Sequence, residues 1–249
     1  VRERDLVGRQ GHFIAEGDVV LRVLLASRHT PVSLLLADKR VEGLRTQLAG
    51  LDKTIPIYAA TQSVMDCIVG FPLHRGILAL GRRTPLPEAK DLLHQCPPRA
   101  LIMVLCGIAN HDNMGGLFRN AAAFGVDAVL LDSQCCDPFY RKAIRVSVGA
   151  SLTVPFARIA LSADIPELLA GQGFPAFALS PDGTTSLACL PRPPRAALLF
   201  GAEGPGLPRA LLDRTQTVSI PMASGFDSLN VATTSGIVLY HFTNTPASA

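Results

Sequence analysis

The 249 residues carry 48% hydrophobic and 17% charged side chains and a formal net charge of +3. Such a chain can build a buried core, which excludes a disordered polymer. It contains no apolar run near the ~20 residues that span a bilayer. The opening Val1-Arg-Glu-Arg-Asp leads into no hydrophobic signal core, so a soluble, cytoplasmic protein is expected.

Taken in chain order, residues 12–83 alternate short helical and strand patterns. Val19, Val20, Val23 and Leu24 recur at helical spacing, and Val32 to Leu36 reads as a buried strand after Pro31. Val41, Leu44, Leu48 and Leu51 mark a second amphipathic helix, with Asp38 as its expected cap. Ile55 to Tyr58 is a strand, Thr61 to Ile68 a helix, and Gly76 to Leu80 a closing strand, together a small α/β sandwich. Residues 82–99 hold Pro85, Pro87, Pro97 and Pro98 around a short charged helix and read as a boundary. The expected division is therefore 1–84, a linker over 85–99, and 100–249.

From Ala100 the pattern restarts. Leu101 to Cys106 is a continuous apolar strand of the kind parallel sheets bury. A polar loop, a helix over 116–124 and the strand Ala128 to Leu131 follow, and Asp137-Pro138 reads as a cap opening another helix. Phe174 to Leu179, Ala196 to Phe200 and Thr217 to Ile220 are further strands, and a helix over 229–242 ends the pattern.

Charge and cysteines narrow the chemistry. Residues 1–84 carry 12 Lys/Arg against 8 Asp/Glu, whereas the remainder carries 11 against 12, an asymmetry that suits a phosphate-binding module ahead of a near-neutral enzyme. The six cysteines form no CxxC pairs and the six histidines no ligand pair, so neither a zinc site nor a disulfide framework is expected. Cys135 and Cys136 read as ordinary thiols.

Three polar, glycine-containing loops each follow an apolar strand: Asn110-His-Asp-Asn-Met-Gly-Gly-Leu-Phe-Arg-Asn, Gly201-Ala-Glu-Gly-Pro-Gly and Ile220-Pro-Met-Ala-Ser-Gly-Phe-Asp-Ser-Leu-Asn. Ligands of open α/β sheets bind beyond the carboxyl ends of strands, so these loops should converge on one crevice. No GxxxxGK[ST] string exists, and the second loop has the order GxxGxG with an internal proline rather than GxGxxG. Nucleoside triphosphate cleavage and dinucleotide redox chemistry are both disfavoured. Glu203 sits between small residues, free to meet a polar group. Arg119 stands among Leu117, Phe118 and Ala121 to Ala123, where a guanidinium wants a carboxylate or phosphate partner. Ser228 and Asn230 are helix-capping types, open to a capping role as much as a catalytic one.

The strings NxxNxGxxxRNAxAFG, FGAEGxGL and IPMxxxxxSLNVA, in this order over residues 110–238, resemble the three signature motifs of the SpoU/TrmH branch of the SPOUT RNA methyltransferases. Phe13-Ile-Ala-Glu-Gly and His74-Arg-Gly-Ile-Leu-Ala resemble the ribosomal-protein-like RNA-binding domain fused ahead of such enzymes. The resemblance implies an α/β RNA-binding domain followed by an α/β SPOUT domain with a C-terminal trefoil knot. It also implies a homodimer and S-adenosylmethionine as cofactor. Gly201, Ile220 and Leu229, together with Leu199, Gly206 and Met222, would contact that cofactor. Asn113, Arg119, Glu203, Ser228 and Asn230 would form the catalytic set, with Arg119 reaching the other protomer's cofactor. Asn110-His-Asp departs from the family's usual approach to Asn113, which bears on substrate choice.

The implied reaction is 2'-O-ribose methylation of structured RNA, with 23S-type ribosomal RNA favoured and transfer RNA the alternative. From another class, a non-catalytic RNA-binding or assembly protein keeping the fold is the rival reading. The family role of Arg119 as base conflicts with a guanidinium pKa above ~12. Arg119 is instead expected to clamp the adjacent phosphate and stabilise developing alkoxide charge, with Ser228, Asn230 or water orienting or relaying the proton and Glu203 positioning Arg119 or the target nucleotide.

Overall fold

The computed structural model describes residues 3–70, 75–160, 162–223 and 228–244. His74 of the front-domain motif and residues 224–227 of the third loop lie outside that description. A short helix α1 (Glu3–Gly8) precedes β1 (His12–Glu16), α2 (Asp18–Ala26), β2 (Thr30–Ala37), α3 (Asp38–Leu48), β3 (Ile57–Ala60), α4 (Gln62–Val69) and β4 (Ile77–Arg82). The strands form a sheet in the order β1-β4-β2-β3, with β4 antiparallel to both neighbours and β2 parallel to β3. Asp38 is not the cap of α3: Ala37 holds the extended N-cap conformation, and Asp38 sits in the first turn, where its charge favours the helix dipole.

The chain continues through α5 (Ala89–His94), β5 (Ala100–Leu105), α6 (His111–Ala123), β6 (Ala128–Leu131), α7 (Arg141–Val146), β7 (Phe156–Arg158) and α8 (Ile165–Gly171). Then come β8 (Ala176–Leu179), β9 (Thr185–Ser186), β10 (Arg195–Phe200), α9 (Arg209–Leu212), β11 (Gln216–Ser219) and α10 (Val231–Asn244). Seven strands make an all-parallel sheet in the order β7-β6-β5-β10-β8-β11-β9. Every residue of β5 and β6 is buried, as expected for strands covered on both faces. Ile102 and Val104 of β5 join Leu92 and Leu93 of α5, Ile165 and Leu169 of α8 and Leu211 of α9 in one apolar cluster. Strand alternation turns their neighbours to the opposite face. There Phe118 of α6 meets Phe156 edge-on at 5.5 Å, and Phe242 of α10 lies 5.6 Å from Phe177.

Two compact units result, and they do not follow a single cut in the sequence. The front unit comprises residues 1–85 and 137–153; the back unit comprises 86–136 and 154–249. The segment between β6 and β7 belongs to the front unit through side chains the local pattern does not reveal. Phe139 stacks on Phe13 at 5.3 Å, and His29 meets both rings edge-on. Arg83 pairs with Asp137 at 3.2 Å, and the buried Glu16 lies 3.7 Å from Arg141. Asp137 does not cap a helix. Its Oδ1 accepts from the Phe139 N–H at 2.9 Å in a turn, and α7 starts after Tyr140. The proline-bearing stretch is no free linker after Leu86, because α5 buries Ala89, Leu92 and Leu93 in the back unit. Arg195 fastens its end, donating to the Pro97 carbonyl at 2.8 Å while its guanidinium lies 4.0 Å above the Phe174 ring.

Candidate active site

At the carboxyl ends of β8, β10 and β11, in the back unit, lies a cavity of about 430 Å³. Its walls are Leu179 to Pro181 after β8, Phe200 to Gly204 and Gly206 after β10, Val218, Ile220 and Met222 from β11 onward, and Ser228 to Val231 with Thr234 at the start of α10. The size suits a nucleoside-bearing small molecule, and apolar walls with a few polar groups are what such ligands require.

Glycines shape the wall after β10. A Cβ at Gly201 would stand 2.2 Å from the Gly206 carbonyl carbon and 2.3 Å from the Leu207 nitrogen, so only glycine lets the loop fold back on itself. Gly204 and Gly206 have φ of 86° and 69°, and the Gly206 N–H donates to the Ala202 carbonyl at 2.9 Å. The loop is thereby held as a fixed concave turn.

The polar corner is organised by Asn230. Its Oδ1 accepts from the Ala232 N–H at 2.9 Å and the Thr233 N–H at 3.3 Å, capping α10. Its Nδ2 donates to Asn113 Oδ1 at 2.9 Å and to Glu203 Oε1 at 2.8 Å. Both amide protons and both carbonyl lone pairs are committed. Asn230 therefore holds two other polar groups in place, and the proton relay allotted to it has no free position on the side chain.

Asn113 is buried because the expected polar loop is the first turn of α6. Asn110 caps that helix, its Oδ1 accepting from the Asp112 and Asn113 N–H groups. The helix then packs closely on α10: a Cβ at Gly116 would stand 2.7 Å from the Ala232 Cβ.

Arg119 is not in this corner. It is exposed on α6, outside the cavity walls, and among the described residues it has no hydrogen bond or ion pair. Six residues at ~100° each place it about 120° around the helix from Asn113, so the two side chains leave α6 on different faces. Glu203 consequently meets Asn230 of its own chain, not Arg119. Of the other expected contacts, Gly201, Gly206, Ile220, Met222, Ser228 and Leu229 line the cavity, whereas Leu199 is fully buried in the sheet core. Ser180, Pro181 and Thr234 also line it and were missed from the sequence. The run after the apolar β8 was the signal for Ser180 and Pro181, but it lacks the glycines that mark the other loops.

The buried thiols of this unit do not compete for the chemistry. Cys135 is buried, and burial foremost, with the nearby Asp132 charge, pushes its thiol up to about 12; burial also raises Cys106 strongly. Neither is a thiolate nucleophile near neutral pH. Among the described residues no cluster of three His, Cys, Asp or Glu could hold a metal ion, and no helix is long and apolar enough to cross a membrane.

An all-parallel α/β sheet with its cavity at the strand carboxyl ends, walled by a glycine turn and an asparagine-capped helix, defines a small-molecule-binding α/β enzyme fold. The SpoU rRNA Methylase family matches residues 100–240. An uncharacterised tRNA/rRNA methyltransferase of Mycobacterium bovis is 43% identical over 97% of this chain and 84% of its own length. The 23S rRNA (guanosine-2'-O-)-methyltransferase RlmB of Pasteurella multocida is 31% identical over 82% of this chain and 84% of its own. The SpoU methyltransferase AviRb of Streptomyces viridochromogenes, solved with AdoMet, superposes with a TM-score of 0.84 over 95% of this chain and 91% of its own at 19% identity, a likeness of fold. The chain belongs to the SpoU family and is an RNA methyltransferase.

Proposed function

We propose that this enzyme methylates the 2'-hydroxyl of a ribose in 23S-type ribosomal RNA, as a homodimer with two composite sites. Its methyl donor is S-adenosylmethionine. The observation that carries this reading is the Asn113–Asn230–Glu203 corner at the edge of a nucleoside-sized cavity, in a chain 31% identical to an rRNA guanosine-2'-O-methyltransferase.

The residues fit the cofactor. Ile220, Met222 and Leu229 offer an apolar slot for an adenine ring, and the Gly201–Gly206 turn presents backbone without side chains. The bound cofactor supplies an electrophilic methyl group on a sulfonium. The protein's part is to align the attacking hydroxyl and accommodate its proton. Asn230 fixes the Glu203 carboxylate, Ser228 stands at the cavity wall, and Asn113 is locked behind them. Arg119, turned away from its own cavity, serves the partner's cavity, where its fork clamps a phosphate and offsets charge developing on the ribose oxygen. The exposed Ile237 and Tyr240 on α10 support a dimer face on the same pair of helices.

The strand order, in which β10 inserts between β5 and β8 before α10 returns to α6, supports a knotted C-terminal passage. Knots are rare exceptions to chain topology. The front unit is the RNA-binding part, supported by the positive balance of residues 1–84.

Mapping ribose methylation on total RNA from cells with and without the gene tests the assignment. One 23S position should lose its 2'-O-methyl group. Loss at a transfer RNA position instead would replace the ribosomal target, and an unchanged map would overturn the proposal.

A further inference from the structure

Asn120, the residue after Arg119, has no place in the site described so far. Its Nδ2 donates one proton to the Ala232 carbonyl at 2.7 Å and the other to Ser235 Oγ at 2.8 Å, both on α10. Ser235 is fully buried, and its own hydroxyl donates to the same Ala232 carbonyl at 2.8 Å. Asparagine is a poor helix former. An apolar pair would pack these helices without that cost. Buried polar groups that an apolar contact could replace are best attested as devices that fix register.

Ala232 shows what register is being fixed. Its N–H is held by Asn230 Oδ1 and its carbonyl by Asn120 Nδ2, so the two peptide units flanking this residue of α10 are each gripped by an asparagine. The same turn carries Val231 and Thr234 of the cavity wall. We infer that Asn120 is a positioning residue: it locks α6 against the first turn of α10, setting the Asn230–Asn113–Glu203 corner in its own chain and the bearing of the adjacent Arg119. The inference rests on the methyltransferase reading of this cavity.

The test is a double-mutant cycle with Asn120→Ala and Asn230→Ala, read by calorimetric affinity for S-adenosylmethionine, with the rate of methyl transfer to RNA followed in the Asn120 single variants. Asn120→Ala alone should weaken affinity and rate about tenfold, but affinity only about twofold when Asn230 is already alanine, because groups in one hydrogen-bond network couple. Asn120→Asp keeps the shape and removes the donors, so it should be as impaired as Asn120→Ala. Equal factors in both backgrounds, or full function in Asn120→Asp, would show mere packing and overturn the inference. Cofactor binding by neither wild type nor variants would sink the methyltransferase reading, and this inference with it.

Discussion

Gly201→Ala puts the shape of the cavity wall under direct strain. The added methyl would sit 2.2 Å from the Gly206 carbonyl carbon, 2.3 Å from the Leu207 nitrogen and 2.6 Å from the Gly206 oxygen. All three are backbone atoms, so no rotamer change relieves the overlap. Reaching an ordinary contact of about 3.4 Å requires the two strands of the turn to part by about 1.2 Å. A shift of that size at Glu203 is enough to break its 2.8 Å bond from Asn230. Overpacking of this kind costs about 1–3 kcal/mol, which a fold of this size survives. Misplacement of a reacting arrangement by about 1 Å costs on the order of 100-fold in rate. The variant should therefore keep its circular dichroism spectrum, bind S-adenosylmethionine at least about tenfold more weakly by calorimetry, and transfer methyl groups about 100-fold more slowly. Gly8→Ala, where nothing lies within 4 Å, is the silent control. Affinity and rate within twofold of wild type in Gly201→Ala would refute the role given to this turn.

Other consequences are as specific. If Arg119 serves the partner's cavity, mixing inactive Arg119→Ala and Asn230→Ala subunits should restore about a quarter of wild-type activity after exchange, since about half the dimers are mixed and each has one intact site. Exchange shown with differently tagged subunits but without recovery would place both residues in one protomer's site. His29 is 4% exposed, its pKa lowered to about 4 by burial first and by Arg28 second, and its Nδ1 accepts from the Thr84 N–H at 3.1 Å. A folded pKa below the ordinary 6.5 means the stabilisation is complete above pH 6.5 and is lost as pH falls towards 4, by up to about 3 kcal/mol. His29→Asn keeps an acceptor and should flatten that loss in urea melts; parallel pH curves for the two proteins would refute it. Replacing Arg75, Arg82 and Arg83 by glutamine should weaken RNA binding and reduce its log–log salt slope by roughly 0.7–0.9 for each phosphate that is no longer neutralised. An unchanged slope would remove these arginines from the RNA interface.

The legible parts of this molecule were those written in local pattern. The apolar runs of β5 and β10 announced a buried parallel sheet, and the glycines after β10 announced a tight turn. The start of α6 was illegible because Asn110-His-Asp-Asn carries no apolar period; only the cap bonds of Asn110 make it helical. The membership of residues 137–153 in the front unit was illegible for a different reason, since Phe139 finds Phe13 more than 120 residues away. At the site, Asn113, Glu203 and Asn230 could be nominated from residue type and spacing, and the structure joins them through one amide. What spacing hid was direction. The six residues from Asn113 to Arg119 say nothing of facing until the run is known to be helical, and the turn then sends the guanidinium away from Asn113. Asn120 stood in the first motif without a role, because a single asparagine on a helix shows no partner until the facing helix is in place.

The most direct measurement follows the fate of a labelled methyl group. Purified protein is incubated with methyl-labelled S-adenosylmethionine and ribosomal RNA from cells lacking the gene, and one portion of the RNA is digested to nucleosides and another hydrolysed in alkali. The account predicts label in a single 2'-O-methylated nucleoside and in an alkali-resistant dinucleotide, because a methylated 2'-oxygen blocks cleavage of the next phosphodiester. Label on a base, or no transfer to RNA by protein that binds the cofactor, would contradict it.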